Sequence, residues 1–232
     1  AFGDYKLPGY VYLDVPVIKI LGLNEWGVRL PSALLGIGFT FLVLLILKKI
    51  SNVHTASWGV FLAALLPWTI IVSRIALEAS LALFLTTLGY YLFLLGLRNR
   101  KFLVLSALCF GLTIFSYNSS RVITPILLLA LGIFYWKELK SQKKIPILSL
   151  LIFLMFFSVA LPKALMQDSS ARYHWTTILD EGAINRIEEL RRISTLPPVV
   201  ARLNYNKVTY FAEETAKNYL SHFGPIFLFL NG

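Results

Sequence analysis

Apolar residues fall in long runs broken by short polar connections, and these runs predict helices that cross a membrane. Six follow one another, at roughly Ser32–Leu47, Ala56–Val72, Ile75–Leu97, Phe102–Tyr117, Val122–Trp136 and Ile145–Pro162, and a seventh begins near Pro225. A bilayer core of about 30 Å takes about 20 helical residues. Several runs fall at or below that length, and flanking Lys48, Lys49 and Arg98 can snorkel to complete them. Gly36, Gly38, Pro67, Gly111 and Pro125 lie inside the runs, where membrane helices tolerate them better than soluble ones do. Soluble domains do not chain this many apolar helices through such short connections. The expected architecture is all-α, a multi-pass transmembrane bundle.

Outside the runs the periodicity changes. Tyr10–Leu23 is apolar and aromatic but short and interrupted. It reads as an interfacial helix with Tyr10, Tyr12 and Trp26 at headgroup level. Ile184, Ile187, Leu190 and Ile193 recur three or four apart opposite Arg186, Glu188, Glu189, Arg191 and Arg192, as in an amphipathic helix. After Pro197-Pro198, Val199–His222 reads as a second helical stretch. The two either pack on their own domain or roof a membrane-embedded site, and the pattern leaves both open. The organisation expected is 1–31, the end of an extracytoplasmic loop; 32–162, six spans; 163–223, an extracytoplasmic loop of amphipathic helices; and 224–232, the start of another span.

Composition sharpens this. Of 232 residues, 57% are hydrophobic and 15% charged, against about 45–50% and about 25% in soluble domains. The net charge of +10 would suggest nucleic acid in a soluble protein, but its distribution argues otherwise. Alternate connections carry Lys48 and Lys49, then Arg98, Arg100 and Lys101, then Lys137, Lys140, Lys143 and Lys144, accompanied by one acid, Glu138. The positive-inside rule puts these three connections in the cytoplasm of a plasma-membrane protein and the other eleven acids on or near the outer side. Nucleic acid is not needed to explain the charge. Ala1 in place of methionine, and an apolar run at the other end, lead us to expect a portion of a longer polypeptide.

Motifs of soluble enzymes are absent: no nucleotide-binding glycine loop, zinc-protease helix or nucleophile elbow occurs. His54, His174 and His222 are far apart, no metal site follows from spacing, and Cys109 alone in a span reads as packing. The sequon Asn118-Ser119-Ser120 lies in a five-residue turn against the membrane and reads as coincidental. Glu78, within Ser73-Arg74-Ile75-Ala76-Leu77-Glu78, is the one acid placed inside a predicted span, about one turn below the outer surface. An ionisable group there is costly and points to function. Arg74, four residues earlier, would share its helical face and could pair with it. The bland alternative is a structural ion pair, or a carboxylate favoured by the helix dipole. With Lys6 and Arg121 on the same side, cations beside carboxylates suit a phosphate-bearing lipid and a proton-accepting acid.

Three segments carry a resemblance. Val28-Arg29-Leu30-Pro31-Ser32-Ala33-Leu34-Leu35-Gly36 runs directly into a span. Lys6-Leu7-Pro8-Gly9-Tyr10 resembles a Lys-Pro-Pro-Leu-Tyr segment, departing at Leu7 and Gly9, and Arg74 to Glu78 resembles an Arg-x-x-x-Asp/Glu element. In order and spacing they resemble the dolichyl-phosphate-mannose protein mannosyltransferase-like family, the membrane GT-C glycosyltransferases of family 39 and their aminoarabinose-transferase relatives. The resemblance covers roughly residues 1–136 and implies a GT-C type bundle. It also implies transfer of a sugar from a polyprenyl-phosphate carrier to a protein, lipid or cell-wall glycan acceptor on the extracytoplasmic face. It makes Glu78 an acid of the site, with Asp4 a second acid. Lys6, Arg74, Arg121 and Tyr10 would bind the lipid phosphate. The family's main catalytic acid would precede Ala1, and since some relatives use a divalent metal and others none, the metal requirement stays open. The competing readings are a transporter or lipid flippase, whose charges sit near the midplane of broken helices, and a non-catalytic scaffold.

Overall fold

The computed structural model describes residues 7–142, 144–165 and 181–224, and every regular element among them is an α-helix. The chain divides into two units, one of residues 5–165 and one dominated by 166–232, described separately below.

In the larger unit α1 spans Pro8–Leu21, α2 Glu25–Ile50, α3 Val53–Leu65, α4 Pro67–Arg74, α5 Glu78–Gly96, α6 Lys101–Thr113, α7 Ser120–Phe134, α8 Trp136–Ser141 and α9 Ile145–Leu165. Two of these, α2 and α5, are long and apolar enough to cross a membrane. Taken together, α3 and α4 make a third candidate, while α6, α7 and Ile145–Ala160 of α9 are shorter apolar helices. In the most apolar windows of α2 and α5 only 22% and 33% of residues are buried. Ile37, Phe41, Leu62, Ile133 and Phe134 stand exposed as well. Apolar surface on this scale needs lipid around it, and the molecule is an all-α membrane protein.

Three boundaries differ from the pattern-based expectation. Helix α2 begins seven residues before Ser32, because the Asn24 side chain accepts from Gly27 N at 2.8 Å and caps it. The run Ala56–Val72 is broken: Leu66 is extended (φ −58°, ψ 126°) ahead of Pro67, and α3 and α4 meet at 55°. Proline disfavours helix in the residue before it. The run Ile75–Leu97 becomes helical only at Glu78, since Ile75 and Leu77 are extended.

The helices pack in the succession α3/α4, α2, α5, α6, α9, with α5 and α6 the most intimate pair. Phe110 and Ile114 are wholly buried among Phe93, Leu94, Leu103 and Phe153. Small residues bring the backbones together, as in other membrane bundles. Gly89 meets the Phe110 ring, and Ser106 Oγ donates to Gly89 O at 2.7 Å. At the end of α5, Gln142 Nε2 donates to Gly96 O at 3.0 Å and to Leu97 O at 2.8 Å, capping carbonyls that the helix leaves open. Arg98 and Arg100 lie in the connection at this end, and Lys101 opens α6.

In the smaller unit, α10 spans Glu181–Ile193, α11 Pro198–Asn204 and α12 Lys207–Ser221. Ala183 and Ile187 are buried, and Arg191 Nε donates to Tyr205 O at 2.5 Å. The expected single stretch Val199–His222 is two helices. The first closes at Asn204, and Asn206 starts the second through a capping box, its side chain accepting from Val208 N and Thr209 N while Asn206 N donates to Thr209 Oγ1.

Candidate functional site

The site is built where the starts of α1, α2 and α5 meet, with the turn that leads from α6 into α7 against the start of α1. Helix α1 docks through its first turn: Gly9 N donates to Phe115 O at 3.2 Å. A Cβ on Gly9 would lie 3.0 Å from Phe115 O and from Ser116 Oγ. The departure from leucine at this position therefore permits close contact between backbones. One residue on, the Tyr10 hydroxyl reaches Ser32 Oγ at 2.7 Å and Val28 O at 3.1 Å. Ser32 Oγ lies 3.1 Å from Ser80 Oγ, and Ser80 Oγ donates to Leu77 O at 2.7 Å. Three helices are thus tied by hydroxyls that are almost fully buried: Tyr10 is 4% exposed, Ser32 0% and Ser80 3%. Helix α6 is tied to α7 in the same way, by Thr113 and Thr124 at 3.0 Å.

Ser32→Ala is expected to lower unfolding stability by about 1–3 kcal/mol, the cost of leaving buried hydroxyls short of a partner. Denaturation in detergent by circular dichroism measures it, and an unchanged midpoint would show that the chain contributes nothing.

Glu78 is the first residue of α5, directly after Leu77, and it lies in the first turn, where the helix dipole favours a negative charge. Its Oε1 is buried with no hydrogen-bond partner among the described residues. Arg121, in the first turn of α7, has a buried Nε without a partner among the described residues, and Asp14 Oδ1 is in the same condition. Buried polar groups are ordinarily paired. Two carboxyls and a guanidinium left open on α1, α5 and α7 are the groups with capacity for a ligand. Burial, the largest cause, raises the Asp14 carboxyl above its ordinary value, and the Tyr10 hydroxyl beside it opposes the shift.

The sequence-based expectations fare unevenly in this geometry. Arg74 closes α4, is exposed, and is separated from Glu78 by the extended Ile75–Leu77 segment, so the two do not share a helical face. No ion pair joins them among the described residues. Ser73 Oγ turns back to Ile70 O at 3.0 Å where α4 ends. Glu78 opens its helix rather than lying one turn inside it. Tyr10, expected at a phosphate, directs its hydroxyl inward to Ser32 and Val28. Asp4 and Lys6 lie outside the described residues. Asp14, Ser32 and Ser80 were not singled out by sequence reasoning, although Asp14 is the sole acid of α1 and lies one turn from Tyr10.

An open cleft of about 500 Å³ lies beside the α4–α5 break, lined by Asn24, Glu25 and Arg29 together with Leu23, Val28, Ile75 and Ala76. Among the described residues no three His, Cys, Asp or Glu side chains gather to hold a metal ion.

The sequence profile of the family described as dolichyl-phosphate-mannose-protein mannosyltransferase matches residues 7–162, which hold every described group above. The chain is 27% identical over 180 residues to "Putative mannosyltransferase YycA" of Bacillus subtilis (strain 168), covering 73% of this chain and 26% of that protein. It is 25% identical over 158 residues to "Putative mannosyltransferase YkcB" of the same strain, covering 64% and 22%. The chain therefore spans about a quarter of the length of these relatives. No solved structure matches it. With the profile covering most of the helical unit, from the α1 segment through the Ser32 motif and Glu78 to α9, the chain belongs to the dolichyl-phosphate-mannose-protein mannosyltransferase family.

Proposed function

We propose that this chain forms part of a plasma-membrane glycosyltransferase that moves a sugar from a polyprenyl-phosphate carrier to an acceptor on the extracytoplasmic face. The observation that carries the reading is that the Glu78 and Asp14 carboxyls and the Arg121 guanidinium each hold a buried polar atom with no hydrogen-bond partner among the described residues.

In the proposed chemistry the acceptor hydroxyl gives its proton to a carboxylate, and its oxygen bonds to the anomeric carbon. The bond from that carbon to the phosphate oxygen breaks, and the lipid phosphate leaves with its electron pair. The anomeric centre inverts. Glu78 is the described carboxylate best placed to serve as an acid of the site, and Asp4 is the second acid. Arg121 and Lys6 hold the phosphate and stabilise charge as it develops there, with Arg74 on the approach. Tyr10 contributes by seating α1, the helix that follows Lys6. The cleft beside residues 75–77 gives an acceptor chain a way in. Protein, lipid and cell-wall glycan acceptors are all served by this scheme.

The test is release of lipid phosphate by the full-length protein in nanodiscs, given radiolabelled mannosyl, glucosyl and aminoarabinosyl polyprenyl phosphates and broad acceptors. Release from at least one carrier is expected. A well-folded preparation that releases none would overturn the reading.

A second reading, a transporter or lipid flippase, draws support from the 55° bend between α3 and α4, because broken helices line transport sites. A flux assay in sealed vesicles separates the two: a transporter moves solute without cleaving the sugar–phosphate bond.

A further inference from the structure

Two amphipathic helices of the smaller unit turn their apolar faces in opposite directions. Helix α10 packs in the ordinary way, with Ala183 and Ile187 of its apolar face buried. Helix α12 shows its apolar face to the outside. Val208 is 76% exposed and Tyr219 64%, and Phe211 and Phe223, the latter just past the helix end, are exposed too. At 3.6 residues per turn these four share one side of the helix with Ala212 and Thr215. The charged residues of α12, Lys207, Glu213, Glu214 and Lys217, fall on the other side. Its half-buried positions, Tyr210 and Glu214, are on that side as well. Helix α12 therefore meets its own unit, where α10 is its neighbour, through its polar face. Its aromatic and aliphatic face is left for something else.

What covers that face follows from where the chain goes next. Residues 222–224 alone separate α12 from Pro225-Ile226-Phe227-Leu228-Phe229-Leu230, an uncharged run outside the described residues. Phe223 N donates to Leu220 O at 3.1 Å and Gly224 N to Ser221 O at 3.0 Å, so the connection is coiled. Even extended, three residues reach only about 10 Å. The end of the apolar face is thus held beside the start of the run expected to enter the bilayer. Tyr219 and Phe223 pack edge to face there, with ring centroids 5.1 Å apart, and aromatic rings of this kind favour the headgroup level. We propose that α12 is an interfacial helix that docks on the lipid surface. Its axis lies along the bilayer, and Val208, Phe211, Thr215, Tyr219 and Phe223 sit at the boundary of headgroups and acyl chains. Glu213, Glu214 and Lys217 face water and α10, and Lys217 pairs with Glu214 at 3.4 Å on that side. A folded partner would have to reach the same face within that short distance of the bilayer.

This docking is independent of the transferase reading and stands whether or not transfer is found. The experiment uses the full-length protein in phosphatidylcholine vesicles, with Cys109 and any other cysteine replaced by serine. Single nitroxide labels are attached at Val208→Cys, Thr215→Cys and Tyr219→Cys on one side of α12, and at Glu213→Cys and Lys217→Cys on the other. Collision of each label with oxygen, which concentrates in lipid, is compared with its collision with a water-soluble nickel chelate. The oxygen-to-nickel ratio should be several-fold higher at the first three positions than at the last two, alternating in step with the helix. Low collision with both reagents at the first three would mean that protein covers the face, either a second copy or another part of the polypeptide. High nickel collision at all five would mean that the face stands in water. Either result overturns the proposal. Thermal unfolding of each variant beside wild type checks its fold, and Thr215→Cys, the smallest change, decides the outcome if Tyr219→Cys does not fold.

Discussion

Glu78→Gln in the full-length protein should lose transfer by about 10²–10⁴-fold in kcat, the range expected for removing a positioned acid or base, while inserting and folding as wild type does. The substitution keeps the size and hydrogen-bonding reach of the side chain and removes only its charge. It therefore separates two roles. As a helix-start carboxylate with no ion-pair partner among the described residues, Glu78 would contribute about 0.3–1 kcal/mol through the dipole. Its loss would shift the unfolding midpoint slightly and leave turnover alone. As a group of the site, its loss would stop lipid-phosphate release at nearly constant stability. Single-turnover release from a radiolabelled carrier, beside thermal unfolding of the same preparations, distinguishes them. Retained turnover with a lowered midpoint would remove Glu78 from the chemistry.

The second large effect is steric. Gly36 of α2 packs on Ser73 of α4, and a Cβ added at Gly36 would overlap Ser73 Cβ. Elsewhere in a helix, glycine to alanine is favourable by about 1 kcal/mol, so the sign of the change reports the contact. Gly36→Ala should instead destabilise by about 1–3 kcal/mol, as overpacking does. It should also reduce transfer, because the displaced residue precedes Arg74 and the α4–α5 break. Ser73→Gly in the same protein removes the opposing atom and should restore most of both. Gly132→Ala, with nothing within 4 Å of the new Cβ, is the control and should be neutral or mildly stabilising. A Gly36→Ala protein as stable as that control would show that α2 and α4 are not in contact there.

The apolar runs gave the helices and their order, since burial in lipid leaves a compositional mark along the whole length of a segment. They could not give the breaks. Pro67 was visible, yet a proline within an apolar run is compatible with a kink, a break or a straight span, and only the extended Leu66 decides among them. Nothing in Ile75-Ala76-Leu77 marks an extended segment, so Glu78 was placed inside a helix that it begins and Arg74 was placed on its face. The capping box at Asn206 and Thr209 was legible in principle, and the apolar periodicity of Val199–His222 masked it. In the site, ionisable residues in apolar surroundings were conspicuous and serine was not. Ser80 is one hydroxyl among many in the chain, and it matters because Ser32 faces it across 48 positions of sequence, a pairing that no local pattern encodes. Asp14 could have been found by asking what a lone acid does on an apolar helix, one turn from a tyrosine.

Helix α5 is held at both ends by side chains from other elements, Ser32 acting through Ser80 at its start and Gln142 at its finish. A rod fastened at its two tips cannot absorb a push by fraying. Load applied at Glu78 passes down its axis to the basic connection on the opposite rim, and the two faces of the bundle are mechanically one part.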